Sequence, residues 1–298
     1  MSTLEAVWGK AECVSHEGKP IFSLHVHPDG TRLATAGGDG VVRVWDLPAI
    51  LADRPEAESA VAVLDAHAGA VNVVRFSDGG AAGSASEGPF LASGSDDHTV
   101  IVWRRAPDGA RAPPPAFGAP ARAPDREPWR IACVLRAHTG DVADLAWAPS
   151  ELTLASASVD GTVRVWDLAA LGGGARAGGR AGAVAMLPPV ATLEPHGSWV
   201  KGVAWDPLGQ YLATQGDDRS VVVHERLRSC AAARECARTS APFRGGTSRT
   251  FCRRLSFSPD GRFLACPHAY TKPAHVGVVL RRPHAAGARA ADRPADGG

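Results

Sequence analysis

Residues 138–168, HTGDVADLAWAPSELTLASASVDGTVRVWDL, decide the fold. Three runs in this stretch alternate apolar with polar or small residues: VADLAWAP, LTLASAS and GTVRVWDL. A fourth run, PPVATLEPH, follows at residues 188–196. Period-2 alternation over such short lengths is typical of half-buried β-strands. The stretch therefore predicts a unit of four short strands.

The same unit recurs along the chain, marked by a small hydroxyl residue, an aspartate four positions later and a ring six positions after that. The four sets are Thr35/Asp39/Trp45, Ser93/Asp97/Trp103, Ser156/Asp160/Trp166 and Thr214/Asp218/His224. The histidines upstream of these sets are His16 (at a looser spacing), His67, His138 and His196. A repeated four-strand unit of about this length predicts a blade of an all-β propeller.

Buried hydrogen bonding explains the spacing within each set. An aspartate in the turn between the second and third strands can accept from the histidine. The histidine can reach the hydroxyl, and the hydroxyl can reach the tryptophan N–H, so that each buried polar group has a partner. The same residue types form hydrolase triads, but this set recurs in every blade, which a single active site would not do. We therefore predict structural networks and no catalytic residues.

Length and composition agree with a single domain, and the absence of catalytic motifs predicts that the protein is not an enzyme. It has 298 residues, 45% of them apolar, enough for a sizeable core. The six cysteines have no metal-ligand spacing, no segment is apolar for long enough to span a bilayer, and no secretion signal is present. Phosphate loops and nucleophile elbows are also absent, and His25 and His27 are expected to face opposite sides of a strand. We predict no cofactor, no metal, no small-molecule substrate and a reducing, intracellular location.

The repeat defines a partial propeller at residues 1–283. The predicted blades are residues 16–65, 67–137, 138–195 and 196–248, with a degenerate fifth at 249–283. The segments 106–128 and 171–186 are rich in Pro, Ala and Gly and are predicted to be loops, and residues 284–298 a disordered tail. Four clear blades and a weak fifth fit a truncated seven-blade ring or, alternatively, a shorter closed ring.

The charge is unevenly distributed. From Arg219 onward there are 15 Lys plus Arg against 5 Asp plus Glu, a balance of +10, whereas the first 218 residues have a balance of −9. A basic segment can contact nucleic acid or an acidic partner. The arginines are scattered among alanines without interleaved aromatic residues that would stack on bases. Direct DNA binding by this segment is therefore not expected.

Several segments together resemble the HIRA-type histone-regulation proteins, a WD-repeat family, in plant and green-algal form. They are VSHEGKPIFSLHVHPDGTRLATAGGDGVVRVWDL (14–47), LASGSDDHTVIVW, WRIACVLRAHTGDVADLAWAP, HGSWVKGVAWDPLGQYLATQGDDRSVVVHER, FCRRLSFSPDGRFL and HAYTKPAHVGVVLRR. The resemblance covers about residues 14–283. It implies a seven-blade propeller followed by a long C-terminal region, so this chain corresponds to part of such a protein.

The resemblance also implies a function. HIRA-type proteins are non-enzymatic scaffolds of a nuclear histone chaperone complex, acting in replication-independent nucleosome assembly and in repression of histone gene transcription. The implied partners are a ubinuclein-type subunit, the anti-silencing-factor histone chaperone and, directly or indirectly, histones.

Two alternatives remain open on the sequence. AVNVVRF, WDPLGQY and RRLSF look equally like the propeller subunit of the replication-coupled chromatin assembly factor. A substrate receptor of a cullin ubiquitin ligase would commonly carry Trp-Asp-x-Arg on a third strand. Here Trp45-Asp46 and Trp166-Asp167 lack that arginine.

Candidate partner-binding residues lie near the starts of the later blades. Trp199 precedes the first strand of the fourth blade, with Lys201 beside it, and is either an exposed anchor or packed on a neighbouring blade. Arg253 and Arg254 could form a basic contact, although one of two adjacent strand residues should point into the blade stack.

Overall fold

The computed structural model describes residues 13–78, 90–106, 125–149, 151–172, 186–225, 234–244, 250–271 and 274–282. These residues form five antiparallel sheets that follow one another in chain order. Each sheet is a meander, in which every strand pairs with the strands before and after it in sequence. Such pairing needs only short connections and no crossovers, which suits the short alternating runs of the sequence.

The sheets have the following strands. The first contains β1 Ile21–Val26, β2 Arg32–Gly37, β3 Val42–Asp46 and β4 Ala60–Leu64. The second contains β5 Val71–Phe76, β6 Phe90–Ser95, β7 Thr99–Arg105 and β8 Trp129–Arg136. The third contains β9 Val142–Trp147, β10 Thr153–Ser158, β11 Val163–Asp167 and β12 Ala191–Leu193. The fourth contains β13 Val200–Trp205, β14 Tyr211–Gly216, β15 Val221–Glu225 and β16 Arg234–Thr239. The fifth contains β17 Ser256–Phe257, β18 Phe263–Thr271 and β19 Ala274–Arg281.

Helical segments in the described residues are short and lie in connections. Helices α1 (Leu47–Leu51) and α2 (Glu56–Ser59) join β3 to β4, α3 (Ala169–Gly172) follows β11, and a 3-10 turn spans Ala241–Phe243. The Asp46 carboxylate accepts from the Ala49 N–H and so caps the first turn of α1. None of these helices has the length and apolar character needed to cross a bilayer.

The sheets stack on one another through their innermost strands, and the apolar core lies between successive sheets. Val74, Leu145, Val203 and Leu255 occupy the same position along the innermost segments of the second to fifth sheets, and all four are buried. The stacking is close. A Cβ on Gly202 would lie 1.8 Å from the Arg253 carbonyl oxygen, so only glycine permits this approach of the fourth and fifth sheets.

The all-β prediction is confirmed, and the five successive sheets are consistent with four full blades and a smaller fifth. WRIACVLR supplies the outer strand of the second sheet, as predicted, and PPVATLEPH contains β12. Of the predicted loop segments 106–128 and 171–186, residues 107–124 and 173–185 lie outside the described residues, as does the predicted tail 284–298. Leu171 and Gly172 end helix α3.

Candidate functional site

The first set of recurring residues forms one connected network. His16 Nδ1 lies 2.8 Å from Asp39 Oδ1, and His16 Nε2 lies 2.8 Å from Thr35 Oγ1. Trp45 Nε1 donates to the same hydroxyl at 2.8 Å. Because a carboxylate can only accept, Nδ1 of His16 carries the proton and Nε2 accepts from the threonine. The network ties the loop before β1 to β2, β3 and the turn between them.

The second set repeats this geometry. His67 bridges Asp97 and Ser93 at 2.9 and 2.7 Å, and Trp103 Nε1 donates to the Ser93 hydroxyl at 2.9 Å. Asp97 also accepts from the backbone N–H of Ala68 at 3.0 Å.

The distances in the third set differ from those in the second by no more than 0.1 Å. His138 bridges Asp160 and Ser156 at 2.8 and 2.7 Å, and Trp166 Nε1 donates to Ser156 at 2.9 Å. Thr139 N donates to Asp160 at 3.0 Å, as Ala68 does in the second set.

The fourth set departs from the pattern at its ring. His196 contacts Asp218 and Thr214, each at 3.0 Å. The buried Nδ1 of His224, however, has no hydrogen-bond partner among the described residues, and the hydrogen bond that this ring makes is with the backbone of Leu212. The prediction that His224 completes a fourth quartet is therefore wrong. A shorter ring cannot place its N–H where the longer indole of Trp45 or Trp166 places its own.

Hydroxyl residues two positions after the aspartate belong to these networks and were not identified from the sequence. Thr99, Thr162 and Ser220 donate to their aspartates at 2.7, 2.7 and 2.8 Å. The signal was present as D-x-[ST] in three of the four sets. In the first set Val41 holds that position, and Arg43 Nη2 contacts Asp39 instead at 3.2 Å.

Hydrogen bonding sets the ionisation of the network aspartates. Burial alone raises the pKa of Asp97, Asp160 and Asp218, but the hydrogen bonds from the histidines and hydroxyls outweigh it. The pKa values of Asp97 and Asp160 therefore lie well below the usual range, and that of Asp218 is lowered to about 2. Each aspartate is a carboxylate at neutral pH, which suits a permanent acceptor.

The networks cannot act as hydrolytic triads. The hydroxyls of Ser93, Ser156 and Thr214 are completely buried, and each already bonds to a histidine. A substrate carbonyl has no access to such an oxygen. The described residues also contain no group of three His, Cys, Asp or Glu side chains placed to hold a metal ion.

A second set of polar contacts joins neighbouring sheets. Ser23 of β1 accepts from the Val74 N–H of β5 at 3.2 Å, and Asp144 of β9 accepts from the Val203 N–H of β13 at 3.2 Å. Ser23 and Asp144 occupy the same position on their strands. A side-chain acceptor there satisfies an inward-facing N–H of the next sheet.

Two arginine side chains also lie close to the Asp144 carboxylate. Arg75 Nη2 of β5 lies 3.1 Å from its Oδ1, and Arg254 Nε lies 3.6 Å from the same oxygen. Arg254 additionally donates to the carbonyls of Phe22 and Asn72 at 3.0 and 2.8 Å. The side chain that precedes the fifth sheet thus reaches the inner strands of the first three.

The predicted partner-binding residues separate into exposed and internal groups. Trp199 is 51% exposed, so it does not pack into a neighbouring sheet. Lys201 and Arg253 are 3% and 5% exposed and share the Asp217 Oδ1, each at 2.9 Å. We predicted that Lys201, Arg253 and Arg254 contact a partner protein. For Lys201 and Arg253 this prediction is wrong, because their charged groups point into the stack of sheets. Arg254 is partly exposed and faces Asp144.

His25 and His27 lie against one ring, contrary to the expectation that they face opposite sides. Their ring centroids are 6.1 and 5.0 Å from that of Phe76. Residues two apart along a strand share a face, which the sequence argument overlooked. Burial, with the nearby charge of Arg75, lowers the pKa of His25 to about 4, and its Nδ1 accepts from the Phe76 N–H at 3.1 Å.

Four-strand meanders that stack through their inner strands, with His–Ser/Thr–Asp networks closing successive sheets, define a β-propeller of the WD-repeat class. The family model described as the CAF1B/HIR1 beta-propeller domain matches residues 10–286. The chain belongs to this family.

The chain is also similar to curated proteins with HIR1 and HIRA names. It is 36% identical to Protein HIR1 of Cryptococcus neoformans over 269 residues, which cover 88% of this chain and 26% of that protein. It is 37% identical to Protein HIR1 of Mycosarcoma maydis over 88% of this chain and 23% of that protein. Against Protein HIRA of Xenopus laevis the identity is 41% over 53% of this chain and 15% of that protein. The chain thus spans about a quarter of the length of the HIR1 proteins it matches, and the predicted HIRA-type resemblance is confirmed.

Proposed function

We propose that the protein is a non-enzymatic scaffold of a nuclear histone chaperone complex that acts in replication-independent nucleosome assembly and in repression of histone gene transcription. Membership of the CAF1B/HIR1 propeller family over residues 10–286 is the observation that carries this proposal. The buried networks support a scaffold, because their polar groups bond to one another and their hydroxyls are closed to solvent.

The partners in this proposal are a ubinuclein-type subunit, the anti-silencing-factor histone chaperone and histones. Loops that enter each blade, such as the one with Trp199, present side chains to these proteins on a rigid frame. Rigid frames limit the entropy lost on binding, which favours specific recognition.

A pull-down from nuclear extract with the tagged 298-residue chain tests the proposal. We expect recovery of the ubinuclein-type subunit and histones. The matched control is the Asp144→Ala variant, whose stack should be disrupted. Recovery of a cullin adaptor without chaperone subunits would overturn the proposal.

A second function is favoured by the family description, which joins CAF1B with HIR1. In that case the chain is the propeller subunit of the replication-coupled chromatin assembly factor. Recovery of the large subunit of that factor, and not of the ubinuclein-type subunit, would select this alternative. Both alternatives place the chain in chromatin assembly.

A further inference from the structure

The fifth sheet has three strands, whereas each of the other four sheets has four. Its outermost strand, β19, holds the third position, which β3, β7, β11 and β15 hold in the other sheets. Those third strands are mostly buried, but β19 is mostly exposed, and Val279 is 65% exposed. No other described strand pairs with the outer edge of β19. We call the place beside this edge, where the other sheets have a fourth strand, the open position.

The outer strands of the other sheets carry protections that β19 lacks. The edge of β4 is covered by Arg126 and Glu127, whose N–H groups donate to the Val61 carbonyl at 2.9 and 3.0 Å. Strand β12 has only three residues, and β8 and β16 contain charged residues. Strand β19 has eight residues, AHVGVVLR, with arginine only at the last position. A long, apolar edge of this kind is a template for pairing with a further strand.

The face of β16 forms one wall of the open position. Val221 and Val223 of β15 pack against β18 in the core between the fourth and fifth sheets. Their partners in the register of β16 are Thr239 and Ala237. Side chains that are directly opposite in a strand pair point to the same face. Ala237 and Thr239 therefore point to the open position, and Ala237 is exposed. An extended segment placed there would pair with β19 and cover this wall of small side chains.

Three exposed arginines lie at the C-terminal end of β19. Arg281 is the last residue of the strand, and the Arg282 N–H donates to the Arg262 carbonyl at 2.8 Å. The Arg282 guanidinium lies 4.6 Å from the centroid of the Tyr211 ring, a cation–π contact with the fourth sheet. This contact places the same end of the fourth sheet beside the arginines of the fifth.

This end of the two sheets has an excess of exposed positive charge. A fourth exposed arginine, Arg234 of β16, lies there, because Arg234 and Tyr211 are both in register with Glu225 of β15. The exposed carboxylates at this end of the described structure are those of Glu225 and Asp260, and the carboxylate of Asp206 is buried. Acidic side chains of a segment in the open position would be attracted to this end.

We propose that the open position beside β19 accepts an extended segment of a partner protein, with β-branched or small side chains along it and acidic residues at its N-terminal end. The direction follows from the other sheets, where each outer strand is antiparallel to the third strand. A segment antiparallel to β19 begins where β19 ends, beside the arginines. Addition of a strand to a free sheet edge is a common mode of peptide recognition. The inference goes beyond the proposed function and does not depend on it.

A second copy of the chain and a nucleic acid fit the open position less well. Antiparallel pairing of β19 with β19 of another copy would place the fourth sheet of that copy in the layer that β15 and β16 already occupy. A nucleic acid could contact the arginines, but it has no backbone N–H and C=O groups in the spacing of a strand. A single extended peptide segment meets neither difficulty.

Fluorescence anisotropy with three labelled ten-residue peptides tests the proposal on the 298-residue chain. The first peptide has three acidic residues followed by alternating Val and Thr. In the second the acidic residues stand at the C-terminal end, and in the third two central residues are replaced by Pro, which removes N–H groups needed for pairing. We expect the first peptide to bind roughly tenfold more tightly than either of the others.

Hydrogen exchange measured by mass spectrometry locates the binding. The first peptide should slow exchange of the amides of residues 274–281 and leave those of β8 unchanged. The double variant Arg234→Glu, Arg281→Glu should weaken binding of this peptide roughly tenfold. Arg136→Glu is the matched control and should leave binding unchanged, because Arg136 is an exposed arginine at the end of an outer strand of another sheet.

Four results would overturn the inference. They are slow exchange of residues 274–281 in the chain without peptide, exchange there that slows as the chain is concentrated, equal binding of the proline peptide, and no peptide binding. The first would mean that the chain itself covers β19, and the second that another copy does. Slower exchange of residues 274–281 with a 12-nucleotide single strand, and not with the first peptide, would also overturn it. These measurements use no chaperone subunit, so their failure is distinguishable from failure of the proposed function.

Discussion

Arg75 of the second sheet and Asp144 of the third form an ion pair across the sheet interface, with 3.1 Å between Nη2 and Oδ1. Asp144 is 1% exposed. Burial raises the pKa of Asp144 in spite of Arg75 and Arg254, and burial lowers the pKa of Arg75 in spite of Asp144. Desolvation therefore opposes both charges, as is usual for buried ion pairs, and the pair contributes more to specific docking of the sheets than to net stability.

Removal of one partner should nevertheless be costly. We expect Asp144→Ala to reduce the free energy of unfolding by about 3–5 kcal/mol, because Arg75 would be left buried without its counter-charge. Equilibrium denaturation in urea measures this. Arg54→Ala, which removes an exposed contact with Glu58 at 3.5 Å, is the control and should change stability by no more than about 1 kcal/mol. Equal effects of the two substitutions would contradict the assignment.

Substitution of Asp160 tests whether the His138–Asp160 contact of the third network stabilises the fold. Asp160→Ala should destabilise the protein by roughly 1–3 kcal/mol, because it leaves the His138 and Thr139 N–H groups without an acceptor. Glu194→Ala removes an exposed carboxylate two residues before His196 and should stay within about 0.5 kcal/mol. An unchanged denaturation midpoint for Asp160→Ala would show that the network is not assembled in solution.

The different rings of the third and fourth networks predict different responses to phenylalanine. Trp166→Phe deletes an N–H that donates to Ser156 and should cost about 1–3 kcal/mol. His224→Phe removes a ring whose Nδ1 has no partner among the described residues and whose one backbone hydrogen bond is with Leu212, at the end of the ring away from Nδ1, so it should cost less than the loss of the Trp166 N–H inside a network. Thermal denaturation of the two variants under the same conditions compares their losses of stability. A larger loss for His224→Phe than for Trp166→Phe would contradict the prediction.

Protonation of His25 should destabilise the fold. With a folded pKa of about 4 and an ordinary value of 6.5, the unfolded chain binds the proton first, so stability is highest above pH 6.5 and falls as the pH decreases towards 4. His25→Asn removes the titration but keeps an acceptor for the Phe76 N–H. The pH dependence of the unfolding free energy between 6.5 and 4.5 should become shallower in this variant. An identical slope would contradict the prediction.

The exposed side chain of Leu24 indicates that the chain self-associates. It is 62% exposed, whereas Leu145, at the same position of the third sheet, is 1% exposed. Phe22 and Val26 share the uncovered face of β1. We expect the 298-residue chain to self-associate, because such an apolar strand face is an aggregation hazard.

Leu24→Glu should reduce this association without loss of stability, whereas Leu145→Glu should unfold the protein, because it buries a charge in the core. Light scattering after gel filtration measures the first effect and urea denaturation the second. A monodisperse, cooperatively melting monomer of the unmodified chain would instead indicate that the face of β1 is covered in solution.

Much of the local structure follows from the sequence. Period-2 alternation predicted the strands of the first four sheets, and the hydroxyl–Asp–ring spacing predicted the three networks around Thr35, Ser93 and Ser156. Each of these features depends on residues of one sheet, so its geometry follows from strand pairing and a short turn. The His224 network was mispredicted, because the spacing gives the position of a ring but not the reach of its N–H.

The sequence by itself determined the all-β class, the repeat and the pairing of each histidine with its aspartate, since these depend on local alternation and on contacts within one sheet. Only the tertiary structure decided that Lys201 and Arg253 are internal while Trp199 is exposed, and that Asp144 gathers Arg75 and Arg254. Arg75 and Asp144 are 69 residues apart, and Phe22 and Arg254 are 232 apart. Such contacts depend on the way in which one sheet stacks on the next, and no local pattern in the sequence records that stacking.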